Sequence, residues 1–275
     1  MKKIFCIRKT LLQWLMLLVA ITSVTAAQAY EYVTLNGSSS YTGDYLQSTC
    51  SGKHVKISAG ATTLNVSSNL SMKEIYAPDN DLTIVLSNHA KFYIDQETGV
   101  TMSAMNVKSL TIRGEGYVYI TGNDNTLGLH GGKLEVNNST ASITSRNGDA
   151  IVAKGGSEVL INNSTVSITA PQGAVTGWPN TTYQDLDYFE VTGSQSHVTV
   201  NGYLGDSQTR IKQFNILNGY FSLSKLTNDG ADGICAREAN LTGGEIYINH
   251  NGYNSTTVVA GLYCNSLKPK TASLK

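Results

Sequence analysis

Three groups of residues in this 275-residue chain have types and spacings suited to chemistry. The first is GWPNTTYQDLDYF, Gly177 to Phe189, which sets Trp178 and Tyr183 beside Asp185, Asp187 and Tyr188. An aromatic ring offers its face to the apolar side of a pyranose, and carboxylates accept hydrogen bonds from sugar hydroxyls, so these five residues predict a carbohydrate site. The competing reading is that Trp178 only anchors its loop. The second group is Asp206, Asp229 and Asp232, the last two inside the corner TNDGADG. Oxygen ligands from a Gly-rich corner suit Ca²⁺, although Asp in such corners also serves as a plain turn former. The third is a recurring set of hydroxyls, Ser142, Ser167 and Ser222 with His197, and Thr144, Thr169, Thr199 and Ser224 in the next column. A regular array of this kind suits an ordered polysaccharide, and it equally suits an ordinary solvated sheet.

Catalysis is argued less well. GDAIVAKGG (Gly148 to Gly156) and RIK (Arg210 to Lys212) are similar to the Asp-Asp and Arg-x-Lys motifs of polygalacturonases. However, Gly148 stands where the first Asp belongs, and Pro171-Gln172-Gly173 occupies the place of the catalytic histidine. Inverting hydrolysis needs two placed carboxylates, and this coil supplies only Asp149. A lyase would have to recruit Asp206, Asp229, Asp232 and Arg210 into one groove, which their spacing does not require.

The elements that position these residues come from a repeat. LEVNNSTASIT begins at Leu134 and VLINNSTVSIT at Val159; LTIRGEGYVYI, FEVTGSQSHVT, FNILNGYFSLS and ANLTGGEIYIN begin at Leu110, Phe189, Phe214 and Ala239. The starts are 24, 25, 30, 25 and 25 residues apart, and looser units begin at Val55 and Leu82. Apolar residues alternate at period 2, so the first and third positions of each unit face one side of a strand. The fifth position holds only Gly or Asn, namely Gly114, Asn138, Asn163, Gly193, Asn218 and Gly243, which tolerate positive φ most readily and mark a corner. The tenth position is again apolar, with Ile143, Ile168, Val198, Leu223 and Ile248. A third apolar piece follows, as in GLHG, AIVA, AVTG, GICA and GLYC. Three short strands in every ~25 residues predict an all-β fold, a single-stranded, right-handed parallel β-helix of about eight coils. A β-sandwich would need hairpin turns and no fixed period.

The flanks follow from the same reading. MKKIFCIRKTLLQWLMLLVAITSVTAAQA reads as a secretory signal over residues 1–29, with a basic head, an apolar run and small residues before Tyr30. Residues 30–52 lack the template and are expected to form an N-terminal cap; 53–266 are the β-helix; 267–275 are a polar, frayed tail. No segment of the mature chain is apolar enough to span a bilayer. A net charge of 0 and 15% charged residues argue against a nucleic-acid partner, which needs a basic surface. Cys50, Cys235 and Cys264 remain after the leader, an odd number that supports no disulfide framework.

The run SLTIRGEGYVYITG…GGKLEVNNSTASITSRNGDAIVAKGG…ADGICAREANLTGGEIYIN resembles the secreted bacterial carbohydrate-binding-domain β-helix family, whose architecture is that of polysaccharide lyases. Asp232-Gly233-Ile234 with Gly243-Gly244 matches its coil motif, and Asp149-Ala150-Ile151 matches in part; the resemblance covers roughly Val55 to Asn249. It implies binding of cellulose-like or acidic polysaccharides and Ca²⁺ at acidic corners, with Gly173 standing where an Asp is expected. The expectation is therefore a secreted, non-catalytic protein, in the periplasm, at the cell surface or outside the cell, that binds a polysaccharide or a host or cell-surface glycan. The rivals are a surface adhesin, a lyase or glycoside hydrolase acting on an acidic polysaccharide, and a structural spacer.

Overall fold

A computed structural model describes residues 30–98, 100, 102–178, 185–205, 209–225, 233–250, 261–269 and 273–274. The chain winds into a parallel β-solenoid of about eight turns, with a short additional rung at each end. Among the described residues every strand pairing is parallel. The first sheet runs through Tyr32–Leu35, His54–Ile57, the openings of Glu74–Leu86 and Met105–Gly114, Asn125–Leu129 and Asp149–Ala153. It continues through the ends of Thr165–Gly177 and His197–Leu204 to the start of Ile234–Leu241 and Leu262–Tyr263. The second sheet contains Gly60–Val66, the remainder of Glu74–Leu86 and of Met105–Gly114, Lys133–Asn137, Glu158–Asn162, Leu186–Thr192 and Ile211–Ile216. The third contains Lys91–Asp95, Tyr117–Gly122, Thr140–Ser145, the starts of Thr165–Gly177 and His197–Leu204, Tyr220–Lys225 and Glu245–His250. Each coil after the first thus passes once through each sheet, and no coil buries its apolar side without its neighbours.

The expected aliphatic columns are present. Ile84, Ile112, Val136, Ile161, Val191, Ile216 and Leu241 follow one another in register, none more than 2% exposed. Burial of each such side chain contributes about 1.5–3 kcal/mol relative to leaving it in water. In the neighbouring column Leu110, Leu134 and Val159 give way to Phe189 and Phe214, then to Ala239. Phe189 and Phe214 lie 5.6 Å apart between centroids, and Phe221 from the third sheet meets both edge-on, so large rings and a small Ala share the cross-section.

Three details of the phasing differ from expectation. Val55 stacks under Ile75 in the first sheet, and the column of Leu82 is continued by Thr62, a buried hydroxyl that accepts a hydrogen bond from Asn80 Nδ2 at 3.0 Å. Ile168 pairs with Val200 rather than Val198, because the corner Gly193–Ser196 is longer than its predecessor. Val198 instead pairs with Val166 and Phe221. Positive φ falls on Gly114, Asn138, Asn163 and Gly193 as read, but on Gly219 and Gly244, one residue later than read, in the last two corners.

The ends carry elements that the repeat does not describe. Residues 30–52 carry strands Tyr32–Leu35 and Ser40–Tyr41, which continue the first and second sheets, and then a helix, Gly43–Cys50. The helix takes the place of a third strand in the first coil and buries Leu46 and Cys50 in the core. Part of the expected tail is ordered into the ladder: Ser266–Pro269 pairs with Ile234–Leu241, and Ser273–Leu274 with Glu245–His250. Cys50 and Cys235 are buried and Cys264 is half-buried; burial raises the thiol pKa of Cys50 and Cys264. No helix among the described residues is long and apolar enough to cross a membrane.

Candidate functional site

The 30-residue spacing between Val159 and Phe189 places Trp178 just past the end of a first-sheet strand. Its backbone N–H donates to Ala153 O at 3.0 Å, one coil back, as Lys154 N–H does to Leu129 O and His130 N–H to Val107 O. His130, Lys154 and Trp178 therefore occupy equivalent positions on successive coils. The indole leans back across the outer face of this sheet. It meets the His130 imidazole edge-on, with centroids 4.5 Å apart, and lies 5.3 Å from Lys154 Nζ, a cation–π distance. It also roofs Gly128: a Cβ there would come within 3.3 Å of two indole carbons and 2.4 Å of Asn106 Oδ1, so a larger residue would press the ring and the amide outward.

Beside the indole is a cavity of about 260 Å³ lined by Tyr76, Met102, Asn106, Asn125, His130 and Trp178. Its polar groups are two amides, an imidazole and the hydroxyls of Tyr76 and Ser103. His130 Nε2 is 3.4 Å from Asn106 Oδ1. Burial lowers the pKa of His130, Lys154 lowers it further, and Asp79 opposes both, so the imidazole is neutral at pH 7. The cavity thus combines ring faces with uncharged donors and acceptors, the usual composition of a small polar-ligand pocket.

Of the four residues expected to act with Trp178, the three that the structure describes lie apart from it. Asp185 Oδ2 pairs with Arg237 at 2.5 Å, and its Oδ1 accepts from Arg210 N at 3.2 Å. Asp187 pairs with Lys212, whose pKa is raised first by that hydrogen bond. Tyr188 stands half-exposed on the second sheet between Glu158 and Gln213. None of the three lines the cavity; the two carboxylates clamp neighbouring coils instead. Tyr183 lies outside the described residues, as do Asp206, Asp229 and Asp232, the residues read as Ca²⁺ ligands. Asp149 is also committed to the scaffold, accepting from Gly173 N at 2.7 Å and from Thr176 Oγ1 at 3.0 Å.

The hydroxyl array lies on the outer face of the third sheet, with its rows re-phased by the long corner. One row reads Lys91, Tyr117, Thr140, Thr165, His197, Tyr220; the next reads Tyr93, Tyr119, Ser142, Ser167, Thr199, Ser222, Tyr247. Tyrosines bound the hydroxyls at both ends. Tyr93 and Tyr119 stack at 5.0 Å and Tyr117 is parallel to Tyr119 within 10°, while His197 stacks on Tyr220 at 4.3 Å. No family model matches the chain, and no curated protein or solved structure matches it.

Proposed function

We propose that the protein is a secreted glycan-binding β-solenoid that holds a sugar against Trp178 rather than transforming it. The carrying observation is the cavity where the indole, Tyr76 and Met102 supply apolar surface and Asn106, Asn125 and neutral His130 supply hydrogen-bonding groups. Those donors and acceptors match a ligand rich in hydroxyls and poor in charge. The carboxylates that a hydrolase would need, Asp149, Asp185 and Asp187, are occupied in bracing coils against one another. The basic, apolar N-terminal segment supports export, and Ca²⁺ at Asp206, Asp229 and Asp232 remains part of the reading on sequence alone.

Trp178 and Trp14 are the two tryptophans of the chain, and Trp14 lies in the expected leader, so emission of the mature protein reports on this cavity. A glycan screen followed by titration should shift that emission. Trp178→Ala should weaken binding by about 1–2 kcal/mol, the scale of a lost aromatic contact, while the far-UV spectrum is unchanged. Unchanged affinity in the variant would remove the cavity from the site. Release of new reducing ends, or of ultraviolet-absorbing unsaturated product, would replace this reading with a hydrolase or a lyase.

A further inference from the structure

The Trp178 cavity leaves the third sheet unused, and that face has a built recess. Between the aromatic block Tyr93–Tyr119–Tyr117 and the block His197–Tyr220, the outward positions shrink to Thr140, Ser142, Thr165 and Ser167. From Tyr117 to His197 is three coil steps, about 14 Å at the usual strand spacing. On the corner side the recess deepens into a groove of about 300 Å³, whose lining includes Tyr117, Thr140, Thr165, Asn138, Asn163 and Gln195. The positive φ at Asn138 and Asn163, 49° and 44°, turns the chain at the rim. The lining is mostly hydroxyl, amide and ring, with Glu115 as its carboxylate and His89 as its imidazole, and it includes no Lys or Arg.

We infer that this recess is a second binding site, for an uncharged oligosaccharide segment of several sugars, seated on the Thr/Ser floor between the two aromatic blocks. The inference rests on the reading of the protein as a glycan binder and adds the site and the class of chain it takes. Three features select the occupant. The floor is flat and lined by short hydroxylated side chains, which allow a polymer to lie close. Its amides and hydroxyls both donate and accept, as sugar hydroxyls do. Glu115 shares the lining with His89, and Lys91 Nζ lies over the outer wall, 5.9 Å from the Tyr117 centroid, so no cluster of cations faces the floor and a neutral chain is favoured over an anionic one. The span between the blocks exceeds a single sugar, so affinity should grow with chain length until the recess is filled.

Two substitutions on exposed or half-exposed strand positions test the site. Thr165→Lys puts a long cation on the floor, and Tyr117→Ala removes one wall. The probes are β-1,4-linked glucan, xylan and mannan fragments of one to six sugars, with polygalacturonate as the anionic polymer, titrated against the full mature chain by calorimetry and by Trp178 emission. The expected result is affinity for a neutral series that rises with length and is absent for polygalacturonate. Thr165→Lys should lower affinity for the longest neutral fragment about tenfold or more, and Tyr117→Ala about three- to tenfold. The emission change on adding the shortest fragment should persist in both variants, because it reports the other cavity. If both variants keep their melting temperature and bind every fragment as the parent does, while Trp178→Ala loses binding, the recess is overturned and the glycan reading stands. If polygalacturonate binds better than the neutral fragments, the ligand class is overturned. If the parent binds no probe, both proposals fall.

Discussion

Asn163 sits at a corner with φ of 44°, and its side chain lies over Gly193 so closely that a Cβ on that glycine would come within 2.1 Å of Asn163 Oδ1. A β-branched residue pays most for positive φ, so Asn163→Val should lower unfolding free energy by about 1–3 kcal/mol, measured by urea denaturation. Asn163→Gly should be nearly neutral; equal losses in the two would mean that the amide rather than the backbone carries the corner. The serine after each such Asn has its own task. Ser139 N donates to Ser164 Oγ at 3.2 Å, Ser164 N donates to Ser196 Oγ at 3.4 Å, and all three serines are buried. This run of backbone N–H to hydroxyl bonds links one NNST corner to the next, while Asn137 Nδ2 turns to Glu135 Oε1 at 2.7 Å. His130 adds a pH dependence. Its folded pKa lies below the ordinary value near 6.5, so on acidification the unfolded chain takes up a proton first. Its contribution is therefore full above about pH 6.5 and lost as pH falls toward the folded value. Thermal melts from pH 7 to pH 5 should fall more steeply for the parent than for His130→Gln, and parallel curves would contradict the assignment.

At the scale of strands and corners, how legible each element was depends on what its register needed. The columns headed by Leu110 and Ile112 were readable because strand period and coil period are both written in apolar residues. Val198 was misplaced because only the length of a corner distinguishes it from Val200, and corner length carries no hydropathy signal. Thr62 broke the pattern because a buried hydroxyl satisfied by Asn80 substitutes for an aliphatic group. The helix Gly43–Cys50 was missed because eight residues give few turns of periodicity, and its core contacts come from Leu46 and Cys50 alone. Within these elements the Phe189, Phe214 and Phe221 cluster concentrates packing where Ala239 follows in the column. Phe214→Ala should cost about 3–5 kcal/mol, read as a fall in the denaturation midpoint. A cost below about 1 kcal/mol would show that neighbouring coils collapse into the space.

For the molecule as a whole, both candidate sites are assembled across coils, and this explains why sequence found only part of each. Trp178 was singled out by type, but its partners His130, Asn106 and Tyr76 come from three earlier coils and share no local motif with it. Asp185, Asp187 and Tyr188, its neighbours in sequence, were carried to a different sheet. The hydroxyl floor was visible as a repeat, whereas its tyrosine boundaries lie outside the coils whose sequences are most alike. Proximity along the chain says little about proximity in space when each coil turns through three sheets. Stability follows the same geometry, since each coil rests on its two neighbours and the total is close to a sum over adjacent contacts.

The near-constant 25-residue period has a consequence for how such a chain changes over generations. Duplicating or deleting one whole period by unequal crossing-over leaves every inward residue inward and every ring or hydroxyl in its row. The distance between Tyr117 and His197 would then lengthen or shorten by a single step, and a lineage would acquire a recess for a longer or shorter oligomer without first inventing a new fold.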